Sequence, residues 1–165
     1  ETLKDGSEVL IRPIKPDDAA AHRQMVAGFS PKTRYFRFFS LREGITPEQM
    51  ARFTQIDYER EIAIIAEVEA DGQKISIGVN RLLYYPHIEE YEFAIVVTDA
   101  WQHSGVGHLL MEKLIYIAKQ RGIKEIFGLV MRDNLSMMNF IKRFGFEIVE
   151  REIDVCRVRL CLADN

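Results

Sequence analysis

The chain has 165 residues, 47% apolar and 28% charged, which suits one globular domain, taken here as 1–165, with a real core. A formal net charge of −3 provides no global basic field, so nucleic acid is not an expected partner. No apolar run approaches the ~20 residues of a membrane span and no signal-like stretch opens the chain, which predicts a cytoplasmic protein without a membrane partner.

In chain order, Thr2-Leu3-Lys4 and Glu8 to Ile14 flank Asp5-Gly6-Ser7, a hairpin turn signal, and Pro13 predicts the end of the second arm. Pro16-Asp17-Asp18 opens a helix that continues through Ala19, His22 and Met25 to about Ala27. Ser30-Pro31 begins a second helical piece bearing Arg34-Tyr35-Phe36-Arg37-Phe38-Phe39. That aromatic and basic run fits either a lining for an acceptor cleft or an ordinary helix with a core face and a wet face. Thr46-Pro47-Glu48 has the order of an N-cap, a proline and a first-turn acid, and predicts a helix to about Gln55.

Three strands follow. Ile62 to Val68 is predicted to place Ala63, Ile65 and Glu67 on one side. Asp71-Gly72 turns the chain into Ile75 to Tyr84, where the interior Gly78 marks a bulge or a close approach and Pro86-His87 brings the strand to an end. Phe93 to Val97, rich in β-branched residues and bounded by Thr98-Asp99, suits a strand buried on both faces. Together they predict an antiparallel meander.

The stretch from Glu92 to Gln120 carries the chemistry. After the strand come Gln102-His103-Ser104-Gly105-Val106-Gly107-His108. Then Val106, Leu109, Leu110, Leu114, Ile117 and Ala118 recur at helical steps until Gly122. Gly105 and Gly107 let the backbone approach a ligand, while the first helical turn offers unpaired N–H groups and the positive end of the dipole. An anion is therefore expected there. Neither G-x-G-x-x-G nor G-x-x-x-x-G-K-[ST] is present, which excludes the Rossmann and Walker loops.

Glu125 to Met131 predicts a strand parallel to the Glu92 strand. Asn134 caps a helix with Met137, Met138, Phe140, Ile141 and Phe144 on its apolar side, stopped by Gly145. Phe146 to Glu150 and Val155 to Leu162 close the sheet. Cys156 and Cys161 lack metal-ligand spacing, so no metal site is expected.

Gln102-x-x-Gly105-x-Gly107, set between a strand and a helix, resembles the Q/R-x-x-G-x-G/A motif of the GNAT N-acyltransferase superfamily. "Ile-Arg-Pro-Ile-x-Pro-x-Asp", "Ser-Pro-x-x-x-Tyr-x-Arg-Phe-Phe-Ser", "Asp-Tyr-x-Arg" and Asn134…Phe144-Gly145-Phe146 extend the likeness from Val9 to Leu160. They are similar to the GNAT domain of Pat-type bacterial protein lysine acetyltransferases. The resemblance implies the α/β (α+β) GNAT fold, a mixed six- to seven-stranded sheet with splayed central parallel strands, flanked by about four helices. It also implies acetyl-CoA as co-substrate. Its diphosphate would lie on Gln102, His103, Ser104, Gly105, Val106, Gly107 and His108, and its pantetheine against the backbone of Ile95 and Val97. Asn134 would touch the pantetheine or a nearby water, although helix capping accounts for it equally well.

A lysine amine has a reference pKa near 10.4, so only about one in a few thousand is neutral at pH 7, and a base is required. Glu89, Glu90 and Glu92 cluster here. Glu92 is embedded in the apolar strand, and in the Pat-type pattern "Glu-Phe-Ala" holds the catalytic glutamate, so Glu92 inherits that role; a structural pairing with Arg81 is the competing account. A main-chain N–H from Ile95 to Val97 would stabilise the oxyanion. A cysteine route through Cys156 or Cys161 has no adjacent histidine to activate it.

Many superfamily members carry a tyrosine seven residues after the asparagine, as proton donor to the leaving thiolate; here Ile141 stands there, leaving Tyr116, Tyr84, Tyr85 or water. His103 and His108 flank the glycines, as diphosphate-assisting cations or as plain exposed residues. Trp101 is expected to pack at the loop base. The acceptor is expected to be a protein lysine, with an acyl-CoA synthetase as the family's usual target. A small amine is the second reading, and a non-catalytic acyl-CoA-binding module the third. Relatives fuse this domain to acyl-CoA synthetase-like or cyclic-nucleotide-binding regions, so a chain that opens at Glu1 is expected to be a segment of something longer or a trimmed form. No oligomeric state follows from the sequence.

Overall fold

A computed structural model describes residues 1–38 and 61–162. The helix expected from Thr46 to Gln55 lies outside the described residues. The strands are β1 (Leu10–Pro13), β2 (Ile62–Ala70), β3 (Gln73–Tyr85), β4 (Glu90–Val97), β5 (Glu125–Met131), β6 (Glu147–Arg151) and β7 (Val155–Cys161). The α-helices among these residues are α1 (Ala19–Ala27), α2 (Pro31–Phe38), α3 (Val106–Gln120) and α4 (Leu135–Lys142).

The strands form one seven-stranded mixed sheet in the order β1-β2-β3-β4-β5-β7-β6. Strands β2 to β4 are the expected antiparallel meander, β1 joins it antiparallel on β2, and β7 lies between β5 and β6 because the last two strands are a hairpin whose second arm pairs with β5. Strand β4 meets β5 in parallel at a single register point, Glu92 opposite Phe127. Beyond it Phe93–Val97 and Gly128–Met131 diverge, so the sheet opens at its centre. Gly128 marks where this begins. A β-carbon there would lie 2.2 Å from Phe93 Cε1, and the Phe93 ring is buried and packed on Phe146 at a centroid distance of 5.0 Å. Only glycine lets that ring lie across β5.

Two cores cover the two faces of the sheet. On one, Val106, Leu110, Met111, Leu114 and Ala118 of α3 and Met138 and Ile141 of α4 pack on Ile62, Ile64, Leu82, Phe93, Ile126 and Val158. On the other, Met25 and Val26 of α1 and Phe29 pack on Ala63, Ile65, Val79 and Val96. At Gly78 the two sequence readings hold together: Ile77 is the extra residue between Ser76 and Gly78 in the pairing with β2, and a β-carbon at Gly78 would lie 3.0 Å from Leu110 Cδ1.

The expected N-terminal hairpin forms around Asp5-Gly6-Ser7: Thr2 bridges Glu8 antiparallel, Leu3 N–H bonds Ser7 O and Val9 N–H bonds Glu1 O, each at 2.8 Å, and β1 ends at Pro13. Pro16–Asp18 form a single 3₁₀ turn ahead of α1. The reason is the Asp18 carboxylate, gripped at both oxygens by Arg12 (2.9 and 2.7 Å) and by Lys15 N–H at 2.7 Å. Arg12 also reaches Glu67 at 3.0 Å, tying the N-terminal strand and turn to β2. The hydrogen bonds from Arg12, opposed by burial, hold the Asp18 carboxyl below its ordinary range.

Candidate active site

The site starts from β4 and its alternation. Thr98 N–H bonds Ile77 O at 2.8 Å, so in this ladder the even-numbered residues Val96, Ala94 and Glu92 face β3 with their backbone groups. The N–H and C=O groups of Phe93, Ile95 and Val97 consequently point into the opening between β4 and β5. That is the orientation the sequence reading required of Ile95 and Val97. Among the three positions considered for an oxyanion donor it retains those two and removes Val96.

After β4 a 3₁₀ turn, Asp99–Trp101, leads into the loop. His103 has φ 63° and Gly105 φ 101°, so the chain twists through left-handed conformations before α3 begins. Leu109 N–H to Gly105 O, 3.1 Å, is the first bond of α3, which leaves the N–H groups of Val106, Gly107 and His108 ahead of it. Side chains of the loop are used within the protein. Gln102 Nε2 donates to Val97 O at 3.0 Å and to Thr33 Oγ1 at 3.1 Å. The Ser104 hydroxyl donates to Trp101 O, and Val106 is wholly buried in the core. Trp101 packs on that core, as expected for the loop base. Gly107 lies against the Phe140 ring, 3.6 Å from where its β-carbon would be.

Of the two histidines, His103 is exposed, and His108 is exposed with Nε2 3.0 Å from Glu112 Oε2 and its ring 5.0 Å from that of Phe144. Asn134 accepts Met137 N–H at 3.2 Å, so it caps α4. What the main chain offers an anion at this end of the cleft is a glycine-shaped loop and the N–H groups of a first helical turn.

Glu92 lies at the apex of the opening, on the sheet face of α1, and is partly buried. Tyr85 Oη donates to Glu92 Oε1 at 2.8 Å. Arg37 of α2 brings a positive charge: burial lowers its pKa to about 10, with Glu92 and Tyr85 opposing the fall, so it remains charged at neutral pH. Phe127, opposite Glu92, carries the Arg157 guanidinium 3.8 Å above its ring, and Arg157 is ion-paired to Glu90. Arg81, the alternative partner for Glu92, is buried beside His22, with Nη2 3.3 Å from His22 Nε2. Burial, with Arg81 and Arg37 adding to it, pushes His22 down to about 3, so the imidazole is neutral.

Tyr85 was named from sequence only as a substitute proton donor, and Arg37 only as part of a basic run. No local spacing signals that the Tyr85 hydroxyl bonds Glu92 or that the Arg37 charge interacts with it, because the three residues come from β3, α2 and β4. Of the other tyrosines, Tyr116 is exposed on α3 and Tyr84 stacks on Tyr91 at 4.7 Å. Ile141 is buried in the core at the place where relatives carry a tyrosine. Cys156 is buried and Cys161 exposed, and Cys156, paired with Val130, is on the sheet face opposite Glu92. Among the described residues no group of three or more His, Cys, Asp or Glu could hold a metal ion, and no helix is long and apolar enough to cross a membrane.

The sequence profile of the Acetyltransferase (GNAT) family matches residues 32–146. The chain belongs to this family. It is 31% identical over 146 residues, 88% of its length and 78% of the relative's, to "Acetyltransferase PA5475" of Pseudomonas aeruginosa. It is 27% identical over 159 residues to "Acetyltransferase Pat" of Mycolicibacterium smegmatis, covering 93% of this chain and 45% of that one. The crystal structure of the GNAT domain of S. lividans PAT superimposes with a TM-score of 0.86 at 26% identity, over 98% of this chain and 94% of that one. PaiA N-acetyltransferase of Thermoplasma acidophilum in complex with coenzyme A, 17% identical with a TM-score of 0.74 over 93% of this chain and 99% of that one, shares the fold. As a GNAT protein the chain is an acetyl-CoA-dependent N-acetyltransferase, and the resemblance stated from its motifs holds in both fold and family.

Proposed function

We propose that this GNAT domain acetylates the side-chain amine of a lysine on another protein, with Glu92 as the general base. The observation that carries the reading is the position of Glu92. It lies where β4 and β5 last touch, at the closed end of an opening whose other end is the loop of Gly105 and Gly107. When bound, acetyl-CoA supplies an activated thioester whose C–S bond breaks as the N–C bond forms. Main-chain N–H groups of the loop from His103 to His108 hold its diphosphate, the Gln102 N–H being bonded to Asp99 O at 3.3 Å, and Ile95 and Val97 hold its pantetheine arm. The outward N–H of Ile95 or Val97 meets the negative charge that develops on the carbonyl oxygen. Glu92 takes the ammonium proton, directly or through water, while Tyr85 orients the carboxylate by donating to Oε1; the second amine proton goes to the departing thiolate, which leaves as free coenzyme A. No covalent enzyme intermediate is required.

A protein acceptor is supported by the likeness to Pat, through the motifs, the M. smegmatis relative and the S. lividans domain. The chain spans about half the length of that Pat relative, so its acceptor and any companion domains belong to this proposal as well. A bacterial cytoplasm supplies acetyl-CoA and keeps thiols such as Cys156 and Cys161 reduced. The test is free-thiol release from acetyl-CoA with a panel of acceptors. Release with a protein such as an acyl-CoA synthetase, with acetyl-lysine formed on it, is expected. Release with polyamines or aminoglycosides alone would move the reading to small amines, and coenzyme A binding without release to any acceptor would leave a sensor.

A further inference from the structure

Helix α2 is held to the loop by a cluster that helix capping does not require. Ser30 already caps α2, accepting Thr33 N–H at 3.1 Å. Yet Asp99, on the turn that opens the loop, accepts from Ser30 N–H at 3.0 Å, from the Ser30 hydroxyl at 2.7 Å and from the Thr33 hydroxyl at 3.0 Å. Thr33 Oγ1 in turn accepts Gln102 Nε2, whose other bond is to Val97 O in the opening. One carboxylate and one hydroxyl thus join α2 to both ends of the loop's entry, across 66 to 69 residues of sequence. Burial would raise the Asp99 carboxyl, and the Ser30 and Thr33 donors outweigh it and hold it below its ordinary value, so the carboxylate is charged at neutral pH.

The other end of α2 serves the base. Thr33 and Arg37 are four residues apart and share one helix face, so the face that touches Asp99 and Gln102 is also the face that brings the Arg37 charge to Glu92. We infer that Asp99 and Thr33 are positioning residues that couple occupancy of the acyl-carrier loop to the placement of α2, and through it to the base. This rests on the proposed reading of the loop and of Glu92. A ligand that fixes the loop fixes Asp99 and Gln102, and these fix α2 and with it the placement of the Arg37 charge relative to Glu92. The coupling works through a rigid helix with hydrogen bonds at one end and a charge at the other.

The test is hydrogen exchange of α2 amides, 32–38, with and without coenzyme A, in the wild type and in Asp99→Ala, Thr33→Val and Thr33→Ser. Coenzyme A is expected to slow α2 exchange several-fold in the wild type and in Thr33→Ser, which keeps the hydroxyl, and to leave it unchanged in Asp99→Ala and Thr33→Val. With a lysine acceptor, Asp99→Ala and Thr33→Val should also lower kcat about tenfold while Thr33→Ser does not. Equal α2 protection in all four proteins, or a wild type whose α2 does not respond to bound coenzyme A, overturns the coupling. Calorimetry separates the readings: no coenzyme A binding at all by the wild type removes the loop assignment and the coupling with it. Full turnover by Glu92→Gln removes only the base assignment, and the exchange result still decides the coupling.

Discussion

The two ends of the cleft are built from opposite materials. At the loop end the side chains are turned to the protein's own needs: Gln102 to Val97 and Thr33, Ser104 to Trp101, Val106 to the core and Asn134 to the cap of α4. What remains for a ligand is main chain shaped by glycine, with the exposed His103 and His108 beside it. At the strand end the working groups are side chains drawn from three elements, the Glu92 carboxylate, the Tyr85 hydroxyl and the Arg37 guanidinium. A diphosphate needs several donors converging on one place, which a twisted backbone supplies within a few residues. Moving a proton needs a titratable group in a tuned setting, and that setting is assembled only in three dimensions.

If this division is right, the two ends fail differently. Glu92→Gln keeps the shape and removes the base, so kcat should fall by roughly 10² to 10⁴ with the KM for acetyl-CoA nearly unchanged, as measured by steady-state thiol release. Gly105→Val acts at the other end. At φ 101° a β-branched residue is strained by on the order of 1–2 kcal/mol, and relief of that strain turns the loop N–H groups away. The expected result is a rise of about tenfold in the KM for acetyl-CoA with kcat mostly retained. Loss of kcat from both variants in the same proportion would contradict the division.

The same contrast explains what could be seen in the sequence. The spacing Gln102-x-x-Gly105-x-Gly107 and the step from a β-branched run to a 3.6-residue period are local, and they mark the loop and α3, whereas the opening between β4 and β5 is implied by the family resemblance. The meander was legible for the same reason, since its turns are marked by Asp71-Gly72 and Pro86-His87. The partners of Glu92 were not: nothing in the series of Tyr35 to Phe39 says that Arg37 meets β4, and Arg81 was as good a guess. Nor could the sequence show that β7 enters between β5 and β6, because strand order in a hairpin depends on which arm finds the free edge of β5.

Behind the strand end lies a buried group that ties the stability of the fold to pH. His22, with a folded pKa of about 3 against an ordinary value of 6.5, lies beside Arg81; burial lowers it, the charges of Arg81 and Arg37 add to the fall and Asp18 opposes it. Below pH 6.5 the unfolded chain takes up a proton that the native imidazole refuses. Its contribution is thus complete above about pH 6.5 and is lost as pH falls towards 3, at about 1.4 kcal/mol per pH unit. Between pH 7 and pH 5 the protein should lose about 2 kcal/mol from this site, read as a lower midpoint in urea. A volume-matched neutral replacement, His22→Gln, should remove most of that slope, and an equal slope in both proteins would place the acid sensitivity elsewhere.

The smallest effect is the one that sharpens the strand end most. Tyr85→Phe removes only the hydroxyl that donates to Glu92 Oε1. If Tyr85 serves to orient the base, kcat should fall only about two- to tenfold, with the KM for acetyl-CoA unchanged and the same loss for every thioester donor. If Tyr85 instead protonates the departing thiolate, the loss should shrink as the donor's thiol becomes more acidic and needs less help to leave. The two roles share one hydroxyl and one distance, and the dependence on the leaving group separates them where the size of the loss cannot.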